Sequence, residues 1–166
     1  MSFDGRAVAN FILDVCEQHG RRISNLALQK ILFFCHARFL TDLGKPLIRH
    51  DFEAWQFGPV LQYVYREFKD FDAMPISRRA MATDRESGEK RTVGYSFDEE
   101  AERLLIETIQ FYSRMSAGAL VELSHVKGGP WDEVWNHESQ INPGMKISND
   151  RILNYYQQAK RPHHLQ

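Results

Sequence analysis

Asn25-Leu26-Ala27-Leu28-Gln29-Lys30-Ile31-Leu32-Phe33-Phe34-Cys35-His36-Ala37-Arg38-Phe39-Leu40-Thr41-Asp42-Leu43 is the stretch on which the fold turns. Leu28, Ile31, Leu32, Cys35, Phe39 and Leu43 recur at i, i+3, i+4 spacing, the mark of a helix with one apolar stripe. Phe33, Phe34 and Leu40 cover much of the opposite side. A helix apolar nearly all round is one packed from several directions, so 25–43 is read as the central helix of a bundle. Lys30 and His36 then sit where a polar group is costly unless it finds a partner. Lys30 either runs its stem along Phe33 and Phe34 toward water or anchors a buried carboxylate. His36 is read as a hydrogen-bonded core histidine.

Working outward, Ser24 is placed to cap this helix, and Gly44 and Pro46 end it. Ahead of it, a helix from near Asp4 to Gly20 carries Val8, Phe11, Ile12 and Val15. Behind it, Leu47–Trp55 alternates too loosely for a strand and reads as a loop. Gly58-Pro59 looks like the N-cap and first-turn proline of a third helix with Val60, Leu61, Val64 and Phe68 on its apolar face. The segment 74–95 is crowded with Arg78, Arg79, Arg85, Glu86, Glu89, Lys90 and Arg91, with Ser87-Gly88 as a turn. It reads as an exposed hairpin or a loop. Ser96-Phe97-Asp98-Glu99 has the serine-to-glutamate spacing of a capping box and opens a helix through Tyr112. Ser116 opens another, ending near His125. Gly128-Gly129 breaks the chain before a short helix at Pro130, Asn142-Pro143-Gly144 is a turn, and Ser148 caps a last helix to about 160. The expected architecture is mainly α, six or seven helices in one domain over 1–160, with a frayed 161–166.

The chain has 166 residues, 43% hydrophobic and 26% charged, with a net charge of -1 and a pI near 6.7. These are the proportions of a globular domain, and the charge argues against nucleic-acid binding through a basic surplus. Two cysteines, Cys16 and Cys35, make no disulfide framework and fit a reducing compartment. No basic segment precedes an apolar one at the N-terminus, and Ile31–Leu40 is about half a membrane span. A cytoplasmic protein without membrane contact is expected.

Catalytic signatures fail in turn. His137-Glu138 lacks the second histidine of a zincin, Gly94-Tyr95-Ser96-Phe97-Asp98 lacks the last glycine of a nucleophile elbow, and there is no phosphate-binding loop. Cys16, His19, Cys35 and His36 resemble a ligand set, but Cys35 and His36 point about 100° apart on one helix. They read as core residues, and His163-His164 as part of a tail, so no metal and no cofactor are expected. An enzyme using His36, His125 and Lys30 is the rival reading. The aromatics of 52–59, His125 with Trp131, and Tyr155-Tyr156 stand beside Gly/Pro turns. They serve either as a binding surface or as fillers between helices.

Three blocks carry a family resemblance. Leu28-Gln29-Lys30-Ile31-Leu32-Phe33-Phe34 with His36 is the first. Phe52-Glu53-Ala54-Trp55-Gln56-Phe57-Gly58-Pro59-Val60 followed by Val64-Tyr65 is the second. Leu123-Ser124-His125 with Pro130-Trp131 is the third. Together, over roughly 6–156, they resemble the Panacea domain. Phe34 and Phe57 stand where many relatives carry tyrosine, and 125–129 is rich in glycine for the family. The resemblance implies a prophage-associated or chromosomal antitoxin that binds a cognate toxin and makes or breaks no bond. It also implies a second possible partner, the unfoldase of an ATP-dependent protease, for relatives that act as adaptors. On this reading Trp55, Phe57, Gly58, Pro59, Tyr65, His125 and Trp131 form the partner-binding set, with Lys30 and His36 as buried polar residues beneath them.

Overall fold

Capping side chains set most helix starts. In a computed structural model, which describes residues 2–136 and 145–159, the carboxylate of Asp4 accepts the Arg6 N–H and opens α1 (Gly5–Gln18). The Ser24 hydroxyl accepts the Ala27 N–H and opens α2 (Asn25–Leu43), which ends at Gly44 in the left-handed region, φ 67°. Ser116 opens α5 (Ala117–Ser124), Pro130 takes the first turn of α6 (Pro130–Trp135), and Ser148 opens α7 (Asn149–Gln158). Between them lie α3 (Gln62–Phe68), a 3-10 turn at Lys69–Phe71, and α4 (Glu99–Tyr112). Seven α-helices are thus present among the described residues.

α2 is buried along almost its whole length, from Asn25 to Leu40 with few breaks. It packs against α1, α3, α4, α5 and α7. Its apolar side chains join those of α1, α4 and α7 in one cluster that includes Ile12, Leu28, Ile31, Phe39, Leu105 and Ile152, all at most 1% exposed. Burial of such side chains contributes about 1.5–3 kcal/mol each and dominates the stability of the fold.

Two small sheets complete it. β1 (Phe52–Trp55) pairs antiparallel with β2 (Gly58–Val60), Trp55 opposite Gly58, and on its other edge with β5 (Lys146–Ile147). β3 (Met81–Thr83) pairs with β4 (Lys90–Thr92) as an exposed hairpin in the charged segment. Asn10 ties that hairpin to α1: its amide donates to the Ala80 and Val93 carbonyls and accepts the Ala80 N–H. No helix among the described residues is long and apolar enough to cross a membrane.

Three expectations are corrected. Leu47–Trp55 is not all loop, because its last four residues are β1. Its strand partners lie across a turn and some 90 residues away, and neither leaves a local period. Gly58-Pro59 opens no helix; it belongs to β2, and α3 starts at Gln62 after Leu61. Ser96 is not the cap of α4, since Asp98 accepts the Ala101 N–H. The expected turn at 142–144, the residues His137 to Ile141 and the tail from 160 lie outside the described residues.

Candidate functional site

The three sequence blocks meet at the β1–β2 turn. α2 supplies three buried polar side chains on one side, Asn25, Gln29 and Lys30. The Lys30 ammonium donates to the Pro59 carbonyl at 2.8 Å. Gln29 Oε1 accepts the Leu61 N–H at 2.9 Å, and its amide donates to Asn25 Oδ1. Asn25 in turn donates to the Tyr65 carbonyl at 3.0 Å. One helix face therefore holds β2 and the start of α3 by their backbones. Backbone groups so buried are costly to leave unpaired, which explains why polar residues stand in an otherwise apolar helix.

Lys30 is fully buried, and it neither reaches water nor meets a carboxylate: its ammonium is bonded to a backbone oxygen. Burial lowers its pKa to about 7, because a charge there loses its hydration. Both expected roles for Lys30 are replaced by this one. Gly58 is what lets the strand lie so close. Its φ is +111°, and a Cβ there would stand 2.5 Å from Lys30 Cε and 2.6 Å from Ser124 Oγ. A side chain with a Cβ is strained there by conformation and must displace Lys30 or Ser124.

The third block closes the turn from the α5–α6 side. Trp131 is 6% exposed, and its indole N–H donates to the Trp55 carbonyl at 2.7 Å. The His125 ring stacks on Trp131 with centroids 3.7 Å apart and planes 6° from parallel. His125 Nε2 is buried without a hydrogen-bond partner, and desolvation followed by the Lys30 charge lowers its pKa. Trp55 packs edge-on against Tyr65, and its own N–H donates to Glu53. Gly58, Pro59 and Trp131 are buried, Trp55, Tyr65 and His125 are half-buried, and Phe57 at the tip is 56% exposed.

His36 lies apart from this cluster. The Ile48 N–H donates to its Nδ1, so the neutral ring carries its proton on Nε2, which faces Asn149 Oδ1 at 2.8 Å. Burial lowers its pKa. Both nitrogens are thus used in joining α2 to the segment before β1 and to α7. Cys16 and Cys35 are buried free thiols, and burial raises the pKa of each, that of Cys16 to about 11. Among the described residues no three histidine, cysteine or acidic side chains are grouped to hold a metal ion.

Asn25, Gln29 and Ser124 escape a sequence reading that looks for charged or aromatic residues. Their trace was the i, i+4 spacing of Asn25 and Gln29, a polar stripe beside Lys30 on an apolar helix.

The profile described as "Antitoxin SocA-like, Panacea domain" matches residues 28–132, which span all three converging blocks. The chain belongs to the Panacea family. Among its relatives is the Antitoxin SocA of Caulobacter vibrioides (strain NA1000 / CB15N), 42% identical over 153 residues, covering 92% of this chain and 81% of that protein. No solved structure matches significantly. The Panacea profile begins at Leu28 and ends at Asp132, so it opens on the helix that holds β2 and closes one residue after the indole that holds Trp55. Family membership and this relative support an antitoxin role.

Proposed function

We propose that this Panacea protein is the antitoxin of a two-gene module, acting in the cytoplasm, and that it neutralises its cognate toxin by direct binding rather than by catalysis. The observation that carries the site is Phe57: it stands 56% exposed at the tip of a hairpin whose base is fixed by Lys30, Gln29 and Trp131. An exposed aromatic on a fixed backbone is the economical form of a contact residue, because little backbone freedom remains to be lost on binding. Phe57 and Trp55 make the contact, with Tyr65 behind Trp55. Gly58, Pro59, His125 and Trp131 hold the tip in place.

The test is growth rescue. The neighbouring gene, toxic when induced alone, is co-induced with wild type, Phe57→Ala or Trp55→Ala. Rescue by wild type and its loss in Phe57→Ala, at equal soluble levels, is the expected result. Full rescue by both variants removes the hairpin from the contact. Rescue that disappears in cells lacking ATP-dependent proteases replaces direct neutralisation by delivery to a protease.

A further inference from the structure

A second surface has the features of a docking groove. It measures about 520 Å³ and lies among α2, α4, α5 and α7. Phe34 and Tyr112 form its floor, stacked with centroids 4.5 Å apart. Leu123 and Val126 stand at its rim, 43% and 40% exposed. Tyr155 forms a wall shared with an adjoining polar cleft that contains Asp150 and the Glu133–Arg151 ion pair.

We infer that this groove receives an amphipathic helix of the toxin, with an apolar stripe lying on Leu123, Val126 and Tyr155 and a lysine or arginine beside that stripe. The inference rests on the antitoxin reading and adds a second contact surface to it. Three features select this occupant. First, apart from Met115 and Val126 the lining is helical and it holds no strand, so no strand edge is offered for backbone pairing, and an apolar groove between helices fits a helix with anchors at i, i+4 and i+7. Second, the charge is one-sided. Glu122 is the groove's own charged residue and Asp150 lies in the adjoining cleft, and neither carboxylate pairs with a basic side chain among the described residues. The two linings together carry Glu122, Glu133 and Asp150 against Arg151, which pairs with Glu133. A basic flank on the incoming helix answers that balance. Third, the groove is continuous with the hairpin support. The 125–129 segment carries His125 onto Trp131 and Val126 into the groove, and a Cβ on Gly129 would stand 2.8 Å from Val126 Cγ1. One partner engaging both surfaces has a stiff connection between them.

The experiment uses the full chain and the toxin encoded by the neighbouring gene, with affinity measured by titration and neutralisation by growth rescue. Leu123→Asp and Glu122→Lys change exposed side chains and are expected to melt with the wild type. Leu123→Asp is expected to weaken toxin binding at least tenfold. Glu122→Lys is expected to weaken it severalfold and to be restored by a lysine-to-glutamate change on the helix that hydrogen exchange shows protected in the complex. Wild-type affinity in Leu123→Asp, or protection confined to a toxin segment without an amphipathic helix, overturns the groove assignment while the antitoxin reading stands. Failure of the wild type to bind and rescue overturns the antitoxin reading and this inference with it.

Discussion

Lys30 and Pro59 are joined by a 2.8 Å hydrogen bond from a fully buried Nζ to a backbone carbonyl, linking the first and second family blocks through one atom pair. The bond gives the hairpin turn its fixed height above α2. It also places an ionisable group where its charge is disfavoured.

That placement makes stability depend on pH. The folded-state pKa of Lys30 is lowered from 10.5 to about 7 by burial, so between those values the folded protein binds fewer protons at this site than the unfolded chain. Stability from this group therefore rises with pH from about 7 toward 10, by up to about 1.4 kcal/mol per unit. Chemical denaturation at pH 7.0, 8.0 and 9.0 is expected to show this rise in wild type and to lose it in Lys30→Met. The same variant is expected to lie about 1–3 kcal/mol lower at pH 9, because the Pro59 carbonyl is left unpaired. A Lys30→Met curve parallel to wild type would mean that Lys30 carries its charge in the folded state.

Gly58 is the tightest point of the site. Gly58→Ala forces a Cβ against Lys30 Cε and Ser124 Oγ at a φ of +111° and is expected to cost about 2–4 kcal/mol. Gly88→Ala, at a φ of +74° with no heavy atom within 4 Å of its Cβ, is expected to cost about 1 kcal/mol. Thermal melts of the two variants side by side check the difference. Equal costs would show that crowding at Gly58 is relieved by movement of the strand.

His125 leaves a buried nitrogen unpaired while its ring stacks on Trp131. Replacing a polar ring whose atom has no partner with an apolar ring of similar shape is nearly neutral or stabilising. His125→Phe is expected to melt at or above wild type, whereas Trp131→Ala, which opens a cavity, is expected to lose about 3–5 kcal/mol. A His125→Phe variant that melts well below wild type would reveal a partner for Nε2.

His36 provides the acid side. Its ring accepts the Ile48 N–H on Nδ1, and burial lowers its pKa, so the folded protein resists the proton that the unfolded chain takes up below about 6.5. Stability is therefore expected to fall as pH drops from 6.5 to 5. His125, lowered in the same direction, adds to the slope. His36→Gln is expected to be less stable at pH 7 and to flatten that slope. An unchanged slope would assign it to other groups.

Much of the fold was legible because its signals are local. Ser24, Ser116 and Ser148 cap the helices they precede, and Pro130 takes the first turn of α6. The β3–β4 hairpin stands where the charged segment reads as a hairpin or a loop, but the strands of the three-stranded sheet left no such mark. β1, β2 and β5 have four, three and two residues, too few for a period, and they exist because distant segments pair. Gly58-Pro59 reads as a helix start by composition, but the backbone at +111° and the bond from Lys30 place it in a strand. Trp131 illustrates the same limit within the site. Its residue type suggested either a contact or a filler, and only the bond to the Trp55 carbonyl fixes it as a support. Of the groove only Tyr155-Tyr156 was marked in the sequence, since Phe34, Leu123 and Tyr155 meet only through the packing of α2, α5 and α7.

The central claim is neutralisation by direct contact through a supported hairpin tip. Its most direct measurement is titration calorimetry of the purified chain against the purified product of the neighbouring toxic gene, without any protease present. The account predicts a stoichiometric complex, and a Phe57→Ala variant with wild-type melting that binds about 30-fold more weakly, a loss of about 2 kcal/mol. Absence of a complex between the two purified proteins would contradict it.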